Sequence, residues 1–560
     1  MTPKIRSPYA IAAFACIGGI LFGFDIASMS AILVTENYKV YFHGDSAVNP
    51  SLKPGQEGWL ISEGPNATLQ GGITAAMPGG SLIGALSAGA LADRFGRRAA
   101  LFIACCFWLV GSILSCAAQN IGMLVVGRFI NGICVGIASA TVPFYLAELS
   151  PSHIRGRVVS AQQWAITWGI MVFYYISLGC SYAADQDGRN TITWRLPWGL
   201  QMIPAIFIMG MLPLLPESPR YLAKNARYQD ALDVLALVHA KGDASDPKVL
   251  AEFELIKENM QMESGEGTSY LDLFRGRQLY RTHLVFFTQV WSQLTGMNVM
   301  MYYIGYVFQM AGISDTESNT KSSSIQYAIN VVMTVPALIY LDRWGRRPTL
   351  LIGAALMGAC MLINGIILAT CGGPVDRSLP INADLPDTVS WRLPAGGASG
   401  RAMIAFTYLF VASYAPTWGP VSWVYPSEVP VQRLRAKSGS ISAAGNWMFN
   451  FALSYFVPPA FKNLNSYGCY FLFFAFNVMM FIHVFLAFPE TKGKSLEEIA
   501  AIFESNVPAW RSSKVLKDVH RADDLAQAVA RGELTVDAGK APNAGPQTPE
   551  SPDFEKKELA

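Results

Sequence analysis

Twelve stretches of about 20 mostly apolar residues run through this chain, the length needed for an α-helix to cross a bilayer. They are residues 9–31, 69–91, 99–119, 121–146, 159–182, 197–215, 282–311, 322–341, 348–370, 401–426, 438–461 and 467–488, numbered here as spans 1 to 12. In lipid every backbone N–H and C=O must be satisfied internally, so each span reads as a helix. Charged residues make up only 15% of the 560, against roughly 25% in soluble domains. That is too few to coat a soluble globule, so the chain is expected to reside in a lipid bilayer. A net charge of +2 gives no field for a polyanion, which excludes nucleic acid as a partner. The nine cysteines have no paired spacing and read as small apolar fillers. No histidine pairs with a second ligand at metal spacing, and no nucleophile–base constellation stands out. No cofactor and no enzymatic activity are expected. The first apolar run is too long for a cleavable signal and lacks an Ala-x-Ala site.

Between spans 6 and 7 lies a hydrophilic stretch whose "RYQDALDVLALVHA" sets Ala231, Val234, Leu235 and Val238 on one helical face. The expected order is a short N-terminus (1–8), a six-helix bundle (9–215), a helical insert (216–281), a second bundle (282–488) and a tail (489–560), largely disordered after about 505. Basic residues cluster in short loops: Lys4 and Arg6, then Arg94, Arg97 and Arg98, Arg155 and Arg157, Arg343, Arg346 and Arg347, and Arg433, Arg435 and Lys437. All fall on one side, which by the positive-inside rule is the cytoplasm, with both termini and the insert. Loop 32–68 is then external. It carries Asn66 in a glycosylation pattern close to span 2.

The two halves repeat. "DRFGRR" from Asp93 follows span 2, and "DRWGRR" from Asp342 follows span 8. Glu148 and Arg155 flank the end of span 4 as Glu428 and Arg435 flank the end of span 10. "PESPR", holding Glu217 and Arg220, follows span 6, and "PETKG", holding Glu490, follows span 12. Duplicated halves that rock against each other are a construction principle of secondary transporters. Asp93, Arg94, Arg97, Glu148, Arg155, Glu217, Arg220, Asp342, Arg343, Arg346, Glu428, Arg435 and Glu490 are therefore candidate cytoplasmic gating residues, able to bridge the halves in one state and release them in another.

Two charges lie deep in the first half. Asp25 is alone between Ser7 and Thr35, and Arg128 is alone between Ala99 and Ala147. Charges at bilayer depth are costly and pair with one another. This pair reads either as a static bridge or as a proton-coupling device in which ionised Asp25 holds Arg128 and protonated Asp25 releases it. The second half has neutral groups instead. Gln289, Gln293, Asn298 and Tyr302 lie on span 7, where Gly296 allows a break. Asn330 lies on span 8. Trp423 lies between Pro420 and Pro426 on span 10, where an irregular helix is expected. Asn446, Trp447 and Asn450 lie on span 11. Such groups bond between helices or hold a neutral polyhydroxy ligand, amides taking hydroxyls and indoles covering a ring face.

"GRFINGICVG", "PESPR", "QLTGMNVMMYY", "GPVSWVYPSE" and "PETKG" resemble the motifs of the sugar porter family of the major facilitator superfamily, with a flavour closest to fungal monosaccharide transporters. The likeness runs from about Gly23 to Glu498. It implies an all-α membrane fold of twelve transmembrane helices in two pseudo-symmetric six-helix bundles. It also implies sugar contacts at Gln163, Gln293, Asn298, Asn330, Trp423, Asn446 and Trp447, beside Tyr302. "GFDIASMS" is similar to the family's Gly-Tyr-Asp pattern, whose aspartate marks proton symporters. Ser292 departs from the family, which often has a glutamine there, and in "SEVPVQRLR" the proline comes one place earlier than in "ELSPSHIR". The expected protein is a plasma-membrane proton symporter of a monosaccharide, hexose or pentose, working by alternating access. The alternatives are a sugar sensor, or a porter of inositol, another polyol, quinate or a disaccharide.

Overall fold

The computed structural model describes residues 7–32, 36–43, 67–151, 153–181, 190–262, 269–313, 316–376, 388–494 and 508–512, with 499, 503, 527 and 531. Eight spans are unbroken, among them span 2 (Ala67–Phe95), span 3 (Arg97–Cys116), span 4 (Ile121–Leu149), span 5 (Arg155–Ser181), span 8 (Thr316–Trp344) and span 9 (Arg346–Cys371). So are span 11 (Arg435–Asn463) and span 12 (Tyr467–Ala487). The other four are jointed. Span 1 is Pro8–Ala15 and Ile17–Ile32, span 6 is Ile192–Leu200 and Met202–Met211, and span 10 is Ala398–Tyr414 and Trp418–Glu428. Span 7 has three pieces, Gly276–Leu294, Met297–Tyr302 and Ile304–Met310.

Among the described residues, eight helices are long and apolar enough to cross a bilayer by themselves. They belong to spans 1 to 4, 6, 8, 9 and 12. Spans 5, 7, 10 and 11 fall short, and these four carry every expected ligand contact except Asn330. Large apolar side chains such as Ile83, Val110, Val332, Ile352 and Met479 are exposed on the outer surface, where lipid replaces water.

Within the first bundle, spans 2 and 4 approach backbone to backbone. A Cβ on Gly132 or Gly136 would come within 2.1 Å of the Met77 or Ser81 carbonyl oxygen. Small residues let helices pack this closely in lipid, where no hydrophobic force drives them together. The bundles meet where span 2 lies on span 11 and span 5 on span 8, with span 10 also against span 5.

Span 7 begins at Gly276 rather than at 282, because hydropathy marks the apolar run and not the helix end. Its break falls at Gly296, whose φ of +97° is the left-handed region that glycine enters without strain. The expectation for span 10 is corrected. The helix runs unbroken through Pro420 and Pro426, and the joint lies earlier, at 415–417, where Thr417 has φ −115° and ψ −92°. Pro420 sits in the first turn of the new helix, where no N–H is needed.

The insert consists of Pro219–Lys224, Tyr228–His239 and Pro247–Met262, then a short turn Tyr270–Phe274. Ala231, Val234, Leu235 and Val238 are its buried face. Residues 508–512 of the tail are described and pack against span 12. In the turn Ala509–Arg511, Trp510 stacks on Phe485 with ring centroids 6.5 Å apart, and Ser512 Oγ accepts the Glu490 N–H at 2.9 Å. Apart from 489–494, 499, 503, 527 and 531, the remaining tail lies outside the described residues, as does Asn66.

Candidate functional site

The structure brings Asp25 and Arg128 together, 1% and 2% exposed. Arg128 Nη1 lies 3.4 Å from Asp25 Oδ1 and donates to Ser28 Oγ at 3.0 Å. Its Nε donates to the Ile73 carbonyl at 3.1 Å. Ser28 in turn donates to the Asp25 carbonyl at 2.7 Å. The guanidinium is thus held by three partners from spans 1 and 2. The carboxylate is engaged on one side only: Asp25 Oδ2 is buried without a hydrogen-bond partner. A symmetric two-pronged bridge would use both oxygens. This one leaves an oxygen available for a proton.

One turn before Asp25, Phe22 packs 4.8 Å from the Trp447 ring and 6.4 Å, edge-on, from the Trp423 ring. Both indoles tie the bundles together. Trp447 Nε1 donates to Ser139 Oγ of span 4 at 3.0 Å, and Trp423 Nε1 donates to Gln163 Oε1 of span 5 at 3.0 Å. Beside them the amides form a chain. Gln293 Nε2 donates to Asn446 Oδ1, Asn450 Nδ2 donates to Gln293 Oε1 at 3.3 Å, and the Tyr302 hydroxyl donates to Asn450 Oδ1 at 3.4 Å. Asn330 is buried with Oδ1 unpartnered, as is Asn446 Nδ2. Asn298 lies on the middle piece of span 7, and its side chain is outside the described residues.

Prolines supply part of this wiring. Pro426 cannot donate to the Ser422 carbonyl one turn back, and Gln289 Nε2 takes that carbonyl at 2.9 Å. Pro458 likewise frees the Ser454 carbonyl, which accepts the Tyr303 hydroxyl at 2.7 Å. Phe22 and Ser139 were missed by the sequence reading. For Phe22, its place on the Asp25 face of span 1 was the available signal. Ser139 had none.

At the end carrying the basic loops, the duplicated motif becomes duplicated geometry. Gly96 and Gly345 have φ of +91° and +90° and turn the chain sharply between helices. Arg97 Nη2 donates to Glu148 Oε1 at 3.0 Å, and Arg346 Nη2 donates to Glu428 Oε1 at 2.7 Å. Glu217 accepts the Arg97 N–H at 3.0 Å, and Glu490 accepts the Arg346 N–H at 2.9 Å. Each caps the start of the next helix. These two bridges join neighbouring helices within a bundle, while across the bundles the Arg435 charge acts on Glu148. Arg155 and Arg435 donate to the carbonyls of Ala147 at 3.2 Å and Pro430 at 3.2 Å. Arg220 donates to the Glu148 carbonyl at 3.2 Å. Asp93 lies 3.2 Å from Lys224. Arg94 and Arg343 point outward, exposed, and take no part in the two bridges.

Other contacts do cross between the bundles here. Asp342 accepts the Gly156 N–H at 3.1 Å and the Arg157 N–H at 2.9 Å, at the start of span 5. Arg155 Nη1 donates to the Lys494 carbonyl at 3.2 Å. The Gly89 N–H donates to Ser440 Oγ at 2.6 Å. This end of the molecule is closed.

The profile of the family described as "Sugar (and other) transporter" matches residues 11–503. The chain is 43% identical to an MFS glucose transporter of Aspergillus flavus over 95% of this chain and 96% of that one. It is 43% identical to a high-affinity glucose transporter of Kluyveromyces lactis over 92% of this chain and 88% of that one. Among solved structures, the major facilitator superfamily proton:xylose symporter bound to 6-bromo-6-deoxy-D-glucose aligns with TM-score 0.73 at 26% identity, over 89% of this chain and 99% of that one. The inward-open xylose transporter from E. coli aligns with TM-score 0.62 at 26% identity, over 88% of this chain and 99% of that one. The twelve spans, the duplicated motifs and these likenesses agree: the chain belongs to the sugar porter family of the major facilitator superfamily, a family of membrane transporters and not of enzymes.

Proposed function

We propose that this protein is a proton-coupled monosaccharide symporter of the plasma membrane that works by alternating access, with its basic loops, insert and both termini in the cytoplasm. The observation that carries this reading is the linkage of Asp25 to the central aromatic cluster through Phe22. A proton entering from outside neutralises Asp25 at its free oxygen. Arg128 then keeps only Ser28 and the Ile73 carbonyl, and span 1 is released to move with Phe22 against Trp447 and Trp423. Sugar hydroxyls exchange with the side-chain bonds of Gln163, Gln293, Tyr302, Asn446 and Asn450, with Asn298 and the free oxygen of Asn330 as further partners. The indoles of Trp423 and Trp447 cover the ring. Sugar and proton thus act on one joint, spans 1, 10 and 11, and each favours the state that the other favours. The glucose names of the fungal relatives and the xylose of the structural neighbour support a hexose or pentose as cargo.

One proton moving down about 100 mV supplies ~2.3 kcal/mol, and one pH unit adds ~1.4 kcal/mol. The test is Asp25→Asn in cells lacking their own hexose transporters. Wild type should accumulate labelled glucose in an uncoupler-sensitive way. The variant should lose accumulation while still exchanging labelled for unlabelled glucose in vesicles. Full uncoupler-sensitive accumulation by the variant would overturn the assignment of Asp25.

A further inference from the structure

His239 is the last residue of the insert helix Tyr228–His239, and both of its ring nitrogens face acceptors. Nδ1 lies 2.9 Å from Glu252 Oε2. Nε2 lies 3.2 Å from the Leu149 carbonyl at the C-terminal end of span 4. A neutral imidazole has one N–H and can serve only one of them; the imidazolium serves both. Its charge also suits the negative end of span 4. The charged groups around the pair are Arg220, from the first insert helix, and Arg155, from the start of span 5. Both act on Glu252, and Arg220 also acts on His239. Glu252 belongs to the helix Pro247–Met262, which packs against the turn Gln432–Leu434 of the second bundle. A clamp at His239 therefore fastens to span 4 a helix that reaches the other bundle, beside the Arg155 that crosses to Lys494.

We propose that His239 is a proton-operated clamp on the cytoplasmic gate: protonated, it holds the insert across the closed face, and deprotonated, it lets that face open. The proposal rests on alternating access with this face cytoplasmic. Burial pushes the His239 ring down, but the Glu252 carboxylate and the two hydrogen bonds outweigh it and hold the ring above its usual range. Burial likewise acts to raise Glu252, and His239 with the two arginines brings it down to about 2, so Glu252 stays ionised. With the folded value raised, the clamp is complete below the usual imidazole range and is lost as cytoplasmic pH climbs through the raised one. A symporter that has imported many protons would thus close its own inner gate.

The test uses inside-out plasma-membrane vesicles with a fixed internal pH, reading equilibrium exchange of D-glucose as the cytoplasmic face is taken from about pH 6 to about pH 8, across the imidazole range. Wild type should speed up roughly three- to tenfold. His239→Gln should run at the fast rate throughout, and Glu252→Gln should keep the dependence with its midpoint shifted to lower pH. Hydrogen–deuterium exchange of purified protein should show helix 228–239 loosening over the same window in wild type but not in His239→Gln. A flat wild-type helix, or an equal slope in His239→Gln, would overturn the clamp. Loosening as expected with no glucose exchange at any pH would leave the clamp standing and count against the transport reading.

Discussion

At the scale of single residues, charge was legible and apolar contact was not. Asp25 and Arg128 stood out because each is the lone charge in a long apolar run, and an unpaired charge there is expensive. Phe22 gave only the weak signal of sharing the Asp25 face of span 1, since a phenylalanine in an apolar helix is what any membrane span contains. Yet it is the residue that joins the charge pair to the indoles. Ser139 was silent for the same reason, since a serine bonding its own helix backbone is common, and this one also donates to the Gly136 carbonyl. Its pairing with Trp447 gives a direct test. Trp447→Phe keeps a ring against Phe22 and loses only the N–H to Ser139; Ser139→Ala loses the same bond from the other side. A lost hydrogen bond of this kind is worth roughly 0.5–1.5 kcal/mol. Each variant should lower glucose uptake about two- to tenfold, and the double variant should be no worse than the poorer single one, because both remove one interaction. Trp447→Ala should in addition raise the apparent KM by stripping the ring surface. Concentration-dependent uptake in matched membranes decides this, and additive losses in the double variant would exclude the bond as the cause.

At the scale of helices, hydropathy located all twelve spans, since a bilayer leaves few alternatives to a long apolar helix. It did not locate the joints. Prolines drew the expected irregularity of span 10 toward Trp423, whereas the helix breaks at 415–417 and tolerates both prolines. Pro420 needs no N–H in a first turn, and the loss at Pro426 is offset by Gln289 from span 7. The consequence is that Pro426 makes span 10 depend on span 7 for one of its bonds. Pro426→Ala would give Ser422 a partner within its own helix and displace the Gln289 amide. Amide exchange around residues 422–426 should slow, and glucose turnover should fall severalfold as the two spans lose their shared bond. Gln289→Ala should also lower turnover but speed local exchange. Unchanged turnover in Pro426→Ala would show that the two spans move independently of this contact.

At the scale of the whole molecule, the duplication is imperfect, and the imperfection decides where the closed end is held. Asp342 reaches from span 8 to two backbone N–H groups at the start of span 5 in the other bundle. Its counterpart Asp93 is turned instead toward Lys224 of the insert, and span 2 is linked to span 11 through Gly89 and Ser440. A carboxylate on orphan N–H groups at a helix start is worth roughly 0.5–2 kcal/mol, so the span 5–8 seam should contribute more to closure than Asp93 does. Space at that seam is as tight as its bonding. A Cβ on Gly156 would fall 2.2 Å from Asp342 Oδ1 and 2.6 Å from Arg346 Nη2. The arginine is itself fixed by Glu428, so it cannot swing aside. Gly156→Ala must therefore displace the Asp342 carboxylate from the span 5 N–H groups, push the bundles apart or break the Arg346–Glu428 bridge; overpacking of this kind costs about 1–3 kcal/mol. A shift of ~1.4 kcal/mol changes the ratio of open to closed molecules tenfold. Spin labels at the exposed positions His153 and Trp344 should report a longer-distance population at this end in Gly156→Ala and in Asp342→Asn, larger in the first. Asp93→Asn should leave the distribution close to wild type. If Gly156→Ala reaches the membrane folded and its distances match wild type, the closed end is held elsewhere, and the bonds of Arg155 and Ser440 become the ones to cut.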